Sequence, residues 1–377
     1  MLPALLALAL SQTPAPNTAA LDFTEEAKLL YRVVACGNDA PLPEGIDAKV
    51  VDEHCKELNK RMQKYRDTWV KEAQPFIAQL KPAGLPTTVV YPFGGGDLIS
   101  AINTYPEAKE INTMSLEHAG DPRRIKGIKS NQLKTSLALI RATSSGLLTA
   151  NDSKTENLMK GQRGELPGQL CFFLIALAVH GYEPVSLKYV KTNADGTLRY
   201  LSQTELESLE KKEAKLLHKV WVAPDFSEAF DNLELVAVKK GGTDKITHRH
   251  FAQNLSDDFF GKDEGMKKYL DARGSIVAMT KAASYLLWRD QFSTIRDYLL
   301  NHMVFMVSDS TGIPPKFATA AGFTQETYGK FAESFLGANA EYNKDFVKLW
   351  KDAKPLPFRY GYLDKNLSKH MLVTKKK

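Results

Sequence analysis

The sequence predicts an α/β protein with a mostly parallel sheet, and three observations carry that expectation. First, the β-branched run Thr87 to Tyr91 leads through Pro92-Phe93 and a GGGD loop into the apolar helix start Leu98 to Ile102. It continues into a second extended run, Lys109 to Leu116, that ends at Glu117. Strand, glycine loop, helix, strand and acid in that order form the βαβ unit that cradles ligands, because glycines let the backbone come close and a helix N-terminus favours an anion. Second, Gly274 to Thr280 reads as a buried strand leading into a helix start, and Val304 to Val307 passes straight into a polar glycine turn, as buried parallel strands do at their carboxyl ends. Third, residues 21–82 carry apolar positions at helical spacing and no strand pattern, so they read as an N-terminal helical cap on the sheet. The expected architecture is Rossmann-like (methyltransferase-like), with that cap and some antiparallel edge strands.

Taken in chain order, Leu2 to Leu10 is an unbroken apolar run followed by the small, polar segment SQTPAPNTAA. That order is a signal-peptide core and its cleavage zone, and the run is far shorter than the ~20 residues that span a bilayer. Lys28 is the first basic residue, so only the α-amino group charges the start. Residues 1–20 are therefore read as a signal peptide cut between Ala9 and Ala20, which places the mature chain in the periplasm or outside the cell. A ragged, uncleaved terminus on a cytosolic protein is the alternative. No Cys follows the apolar run, which argues against a lipid anchor at the cut.

The cap follows. Ala27, Leu29, Leu30, Val33 and Val34 share one helical face, and Leu58, Met62, Tyr65, Trp69, Ala73 and Ile77 share another. Lys81 to Pro86 (KPAGLP) breaks the helix. Cys36 and Cys55 bracket the turn-rich GNDAPLPEG, and a bridge closing that loop would stabilise the fold by roughly 3 kcal/mol. A disulfide suits an oxidising compartment; two stray core cysteines are the alternative. Cys171, within CFFLIALAV, reads as a buried small hydrophobe.

Residues 83–377 form the α/β domain. Beyond the first βαβ unit, Ser130 to Leu148 is periodic as a helix, and Leu170 to His180 is a buried helix closed by Gly181. Val185 to Val190 and Leu198 to Leu201 flank the hairpin signal NADG. Ser202 to Lys219 reads as an exposed helix or loop. Leu233 to Lys239 and Ile246 to Gln253, joined by KGGTD, are expected to add an antiparallel edge. Lys281 to Leu287 looks like a helix start, Phe292 to Met303 continues helical spacing, and Val304 to Val307 is the last clear strand.

In such sheets ligands collect at the carboxyl ends of the strands. Residues 94–97, 117–118 and 308–312 therefore point to one place, with 281–284 as a fourth contributor. The ligand-binding candidates are Gly94, Gly95, Gly96, Asp97, Glu117, His118, Lys281, Ser284, Asp309, Ser310 and Thr311. Each has a plainer reading. Asp97 could simply cap the helix. Glu117 lies where an acid would reach a ribose hydroxyl, and His118 is an acid–base candidate with no partner in view. Lys281 and Ser284 could form a nucleophile pair, or be a surface lysine beside a core serine. Asp309, Ser310 and Thr311 could hold a cation or a hydroxyl, or make ordinary Asx and Ser/Thr turns. His248 and His250 alternate on a strand and face one way, but no third ligand stands near, so a solvent-facing pair is expected and no metal is assigned.

No cofactor is assigned either, since GGGD is an incomplete phosphate fingerprint. The chain carries no G-x-S-x-G, H-E-x-x-H, Walker A or C-x-x-C motif. Its 43% hydrophobic content can bury a large core. The net charge of +6 is scattered, with half of it in the terminal KKK and no basic stripe among aromatics, so nucleic acid is not an expected partner. The richest apolar stretch, Leu170 to Val179, is too short to be a transmembrane segment.

The segments VVYPFGGGDLISA, TKAASYLLWRDQFSTIRDYLL and VSDSTGIPPKF resemble, in the same order, a family of exported bacterial proteins of unknown function. That family's motifs read YPFSGPD, KSASYL with FSxIR, and DDSGIP, and the resemblance covers most of residues 87–340. GGGD in place of SGPD removes a serine hydroxyl and a proline, and SDST in place of DDSG drops one carboxylate. The resemblance implies fold and compartment, not activity. The function expected from all of this is an exported protein that binds a small molecule or an envelope component at the strand ends. One alternative is an envelope transferase or hydrolase working through the Glu117/His118 and Asp309 loops, favoured if Glu117, Asp309 and Lys281 converge. The other is a structural or interaction protein with a degenerate cleft, favoured if Phe93 or Tyr285 plugs it.

Overall fold

A computed structural model of the protein describes residues 19–150, 164–210, 227–281, 283–331, 340–361 and 369–377. The expected leader falls almost entirely outside the described residues, as does the part of 202–219 beyond Glu210. The cap consists of α1 (Thr24–Val33), α2 (Ala48–Tyr65) and α3 (Lys71–Leu80), with Asp47 capping α2 through its side chain. Between α2 and α3 the turn Arg66–Val70 is wound as a π-helix, just ahead of Pro75 inside α3. Proline has no N–H to return to the preceding turn, so the winding is disturbed there without breaking the rod. The bridge Cys36–Cys55 ties the loop after α1 to α2, with Cα atoms 5.4 Å apart. Cys171 lies buried as a thiol.

Next come β1 (Thr88–Pro92), α4 (Leu98–Thr104), β2 (Glu110–Ser115), α5 (Ser130–Ser145) and α6 (Gly168–Val179). The hairpin β3 (Tyr182–Thr192) and β4 (Leu198–Tyr200) precedes α7 (Gln203–Glu210), β5 (Leu233–Lys239) and β6 (Lys245–Ala252). The chain closes with α8 (Glu264–Asp271), β7 (Ile276–Thr280), α9 (Ser293–His302), β8 (Met303–Ser308), α10 (Pro315–Ala320), β9 (Phe323–Gly329), α11 (Ala340–Leu349) and β10 (His370–Lys376).

The described strands form one sheet in the order β4-β3-β5-β6-β2-β1-β7-β8-β10-β9. Its centre, β6-β2-β1-β7-β8, is parallel throughout, and both flanks are antiparallel. Sequence reasoning needs three corrections here. β6 pairs antiparallel with β5 but parallel with β2, so it belongs to the parallel core and is not part of the added edge. Val304 to Val307 is not the last strand: β9 and β10 follow, and β10 slots between β8 and β9. Finally, residues 284–288 are a 3₁₀ turn and not the start of an α-helix.

Side chains alternate across the pleat. Val89, Tyr91, Ile111, Val277, Met279 and Val307 point to one core, which also holds Leu30, Leu58, Trp69 and Ile77 of the cap. Val90, Met114, Ala278 and Met306 point to the other core, beneath α8, α9 and α10. The cap therefore shares a continuous core with the sheet. Among the described residues no helix is long and apolar enough to cross a membrane.

Candidate functional site

The parallel centre reverses its order of growth at β1: β2 and β6 extend it one way, β7 and β8 the other. The crevice outside the strand ends at such a switch is where open α/β sheets place ligands. Lys281 immediately follows β7, and Asp309 immediately follows β8. Both continue the alternation of Met279 and Val307, so they emerge on the face covered by the cap. Asp97, at the end of the glycine loop after β1, comes in from the other side of the switch.

Asp97 and Lys281 are the centre of the site. The lysine Nζ lies 2.9 Å from Asp97 Oδ2 and 3.0 Å from Ser100 Oγ. Both ends are shut off from water, at 1% and 0% side-chain exposure. Burying two charges costs several kcal/mol each, which attraction offsets only when the remaining lone pairs are also filled. They are: the Tyr91 hydroxyl donates to Asp97 at 3.0 Å, and the backbone N–H of Ser100 donates at 3.3 Å. Asp97 is thus the helix cap and an ion-pair partner at once. The Lys281 ammonium also stands 5.6 Å from the centre of the Tyr360 ring.

A second knot lies beside the first. The Ser284 hydroxyl donates to the Asp309 carboxylate and also meets the Thr311 hydroxyl. The Thr311 N–H and hydroxyl reach the same Asp309 oxygen, at 3.3 Å and 3.1 Å. The Asx-turn reading of this loop is therefore right, yet every member is buried. Ser310 donates its backbone N–H to His370 Nδ1, at 3.1 Å. Ser284 is turned toward Asp309, which speaks against a Ser–Lys nucleophile pair.

The cover over these knots comes from both ends of the chain. Tyr65 and Trp69, from α2 and the π turn, stack at 5.2 Å, and Trp69 meets Phe358 edge-on at 5.9 Å. Phe76 of α3 packs against the same Phe358, at 5.4 Å, and the Trp69 indole N–H donates to the Arg359 carbonyl. Residues 358–361 thus form a strap clasped by the cap, with Tyr360 wholly buried at its centre. At Gly361 a side chain would meet His370 and come within 2.8 Å of Asp309 Cβ, so glycine lets the strap lie directly on the site. Burial and the nearby Asp97 carboxylate push the Tyr65 phenol well above its usual value. Burial does the same to Tyr360, with help from Tyr105, Asp97 and Asp309. Among the described residues the Tyr65 hydroxyl has no hydrogen-bond partner.

The glycine loop is occupied by the protein itself. A Cβ on Gly96 would stand 2.5 Å from the Gln169 side-chain oxygen and 3.0 Å from Phe172, both on α6. One on Gly94 would stand 2.9 Å from Tyr91. Gly95 supplies a positive φ of 49°, and Phe93 just before the loop has a φ of 62°. These glycines serve close packing of α6 against the loop. The buried Gln169 amide, like the Tyr65 hydroxyl, has no partner among the described residues.

Glu117 and His118 lie in the segment that follows β2. Glu117 is buried, and its carbonyl accepts from His250 Nε2 at 2.7 Å. His118 has the partner that the sequence did not reveal: its Nδ1 lies 2.7 Å from Asp231, whose other oxygen is 3.2 Å from Lys191 Nζ. Phe93 packs against Phe292 at 5.8 Å, and Tyr285 against the cluster around Trp288. The solvent-facing reading of His248 and His250 is wrong. They are 1% and 0% exposed and share the Thr113 hydroxyl, at 2.9 Å and 3.0 Å. Among the described residues no group of three or more His, Cys, Asp or Glu could hold a metal ion.

Tyr65, Tyr360, His370 and Asp231 are functional candidates that sequence reasoning missed, and no local motif marks them. No protein-family model matches the chain, and no curated protein matches it.

Proposed function

We propose that the chain is an exported protein of Rossmann-like, methyltransferase-like build that binds a small polar molecule at the buried Asp97–Lys281 pair. The observation that carries this reading is the buried Tyr65 hydroxyl, without a partner among the described residues, close to a dry Asp97–Lys281 pair at the switch of the sheet. A buried polar group left unpaired costs about 1–3 kcal/mol, and a bound polar ligand removes that cost. The three motifs of the family resemblance supply Asp97, Lys281, Ser284 and Asp309, which supports a relationship to that exported family. The Rossmann-like reading rests on the parallel order β6-β2-β1-β7-β8, which numbered along the chain runs third, second, first, fourth, fifth. Export rests on the leader, and the Cys36–Cys55 bridge supports it.

A nucleotide is disfavoured because α6 fills the glycine loop that would hold its phosphates. Binding is favoured over a Ser–Lys nucleophile pair because the Ser284 hydroxyl donates to Asp309 while Lys281 donates to Asp97 and Ser100. The test is thermal unfolding of the purified mature protein against nucleotides, sugars, amino acids, peptides and divalent metals, in parallel with Tyr65→Phe. A ligand at a hundred times its dissociation constant should stabilise by roughly 2.7 kcal/mol. Tyr65→Phe should weaken binding of that ligand about tenfold, the worth of one hydrogen bond. Silence across the panel, with Tyr65→Phe as stable as the parent or more so, would replace this reading with that of an empty framework.

A further inference from the structure

The guanidinium of Arg296, near the start of α9, is buried at 5% exposure without a carboxylate partner among the described residues. Its Nη1 donates to the Leu287 and Arg289 carbonyls, at 3.1 Å each. The side chain makes no other hydrogen bond among the described residues, and its Nε–H is buried with no partner there. A charge taken out of water is costly unless it is paired, and buried arginines are rare for that reason. The guanidinium lies over the Phe317 ring, 4.0 Å from its centre, and the Lys316 ammonium stands 4.9 Å from the same centre. The negative face of the ring offsets part of the cost, yet it also gathers two cations, which repel one another. Leu287, Ile295 and Phe317 pack into the core beneath α8, α9 and α10, on the face of the sheet away from the cap. This cluster is therefore separate from the Asp97–Lys281 pair.

We propose that Arg296, assisted by Lys316, binds the carboxylate of a small organic acid, which is the counter-ion that the fold itself does not supply. With Nη1 committed to two carbonyls, the guanidinium keeps the edge formed by Nε and Nη2 for a ligand. That edge presents two parallel N–H groups, the spacing that a carboxylate matches with both of its oxygens. The two carbonyl bonds and the Phe317 ring fix the plane of the fork, so little side-chain freedom is left to lose when an anion arrives. Lys316 is exposed and adds a second positive charge at the outer side of the ring. A carboxylate suits the place better than a phosphoryl group does. Its single charge equals that of the one buried cation, whereas a phosphate monoester carries close to two charges at neutral pH and is costlier to strip of water. The apolar Leu287 and Phe317 favour an organic body on that carboxylate over a bare inorganic ion.

The test is a titration of the purified protein with sodium acetate at pH 7.5, against sodium chloride of equal ionic strength. In nitrogen-15 spectra of labelled arginine, the Nε–H signal that shows a nuclear Overhauser contact to the Phe317 ring should move saturably with acetate and stay still with chloride. The melting temperature should rise over the same range of acetate. Arg296→Lys keeps the charge but not the fork, and should bind acetate about tenfold more weakly. Tyr65→Phe should leave the acetate response intact, which keeps this site distinct from the Asp97–Lys281 pair. An Nε–H signal that acetate does not move overturns the proposal in the parent protein, with no variant needed. So does an acetate affinity that is unchanged in Arg296→Lys, or one that is lost in Tyr65→Phe alone. A response to inorganic phosphate stronger than that to acetate would overturn the assignment to a carboxylate.

Discussion

At the scale of the residue, the Asp97–Lys281 pair shows how partners change the meaning of a side chain. As the N-cap of α4 alone, Asp97 would contribute about 1 kcal/mol. Joined to Lys281 and buried from solvent, it becomes a charge that cannot lose its counter-ion cheaply. Lys281→Met should therefore destabilise by about 3–5 kcal/mol in urea unfolding, because it strands the carboxylate. The double change Asp97→Asn with Lys281→Met should cost clearly less than the two single changes added together. Additive costs would show that the two groups do not depend on each other. Tyr65→Phe should leave the ligand-free protein unharmed, since it deletes a hydroxyl that has no described partner.

At the scale of the element, the cap and the strap act on one another across the site. Phe358 meets both Trp69 and Phe76, so Phe358→Ala removes one ring from two edge-on pairs. A loss of about 3–5 kcal/mol is expected. Faster hydrogen exchange in residues 66–80 than in α5 would locate that loss in the clasp. The π turn at 66–70 lies where the strap is held, and such local rewinding gathers at functional places. On the other side of the cap, the bridge closes a separation of 19 residues. Cys36→Ser with Cys55→Ser should cost about 2–4 kcal/mol, read as a lower midpoint in denaturant.

At the scale of the whole molecule, buried neutral histidines set the response to acid. Burial is the main cause that lowers His54, His180 and His250 to about 4, and it holds His248 well below its ordinary value. In the unfolded chain each returns to about 6.5. The unfolded state therefore binds more protons than the folded one throughout that window, so stability is complete above about pH 6.5 and falls as the pH drops toward 4. Melting temperatures at pH 7.5, 6, 5 and 4 should decline across that window; a flat profile would show that these rings are not buried neutral.

Much of this was legible in the chain. Thr87 to Tyr91 and Gly274 to Thr280 are β-branched and apolar because strands buried on both faces must be, and the cap helices show their apolar stripes because they lie on a core. Cys36 and Cys55 could be paired because a turn-rich loop separates them. β10 stayed hidden because Lys375 and Lys376 mask the apolar Met371 to Val373, which only neighbouring strands make necessary. His248 and His250 looked solvent-facing because alternating polar residues usually are; in the fold Thr113 from another strand bonds one nitrogen of each ring inside the core. Asp97 and Lys281 are separated by 184 residues, and Lys191 and Asp231 come from different elements. By itself the sequence determined the cap helices, the strands β1, β2, β7 and β8, a bridge that Cys36 and Cys55 could form, and the loops where polar residues gather, since these follow from local pattern. Only the tertiary structure decided which of those residues meet, which of them are dry, and that Tyr65 and Tyr360 close over them, because contact and exclusion of water depend on the order in which strands assemble.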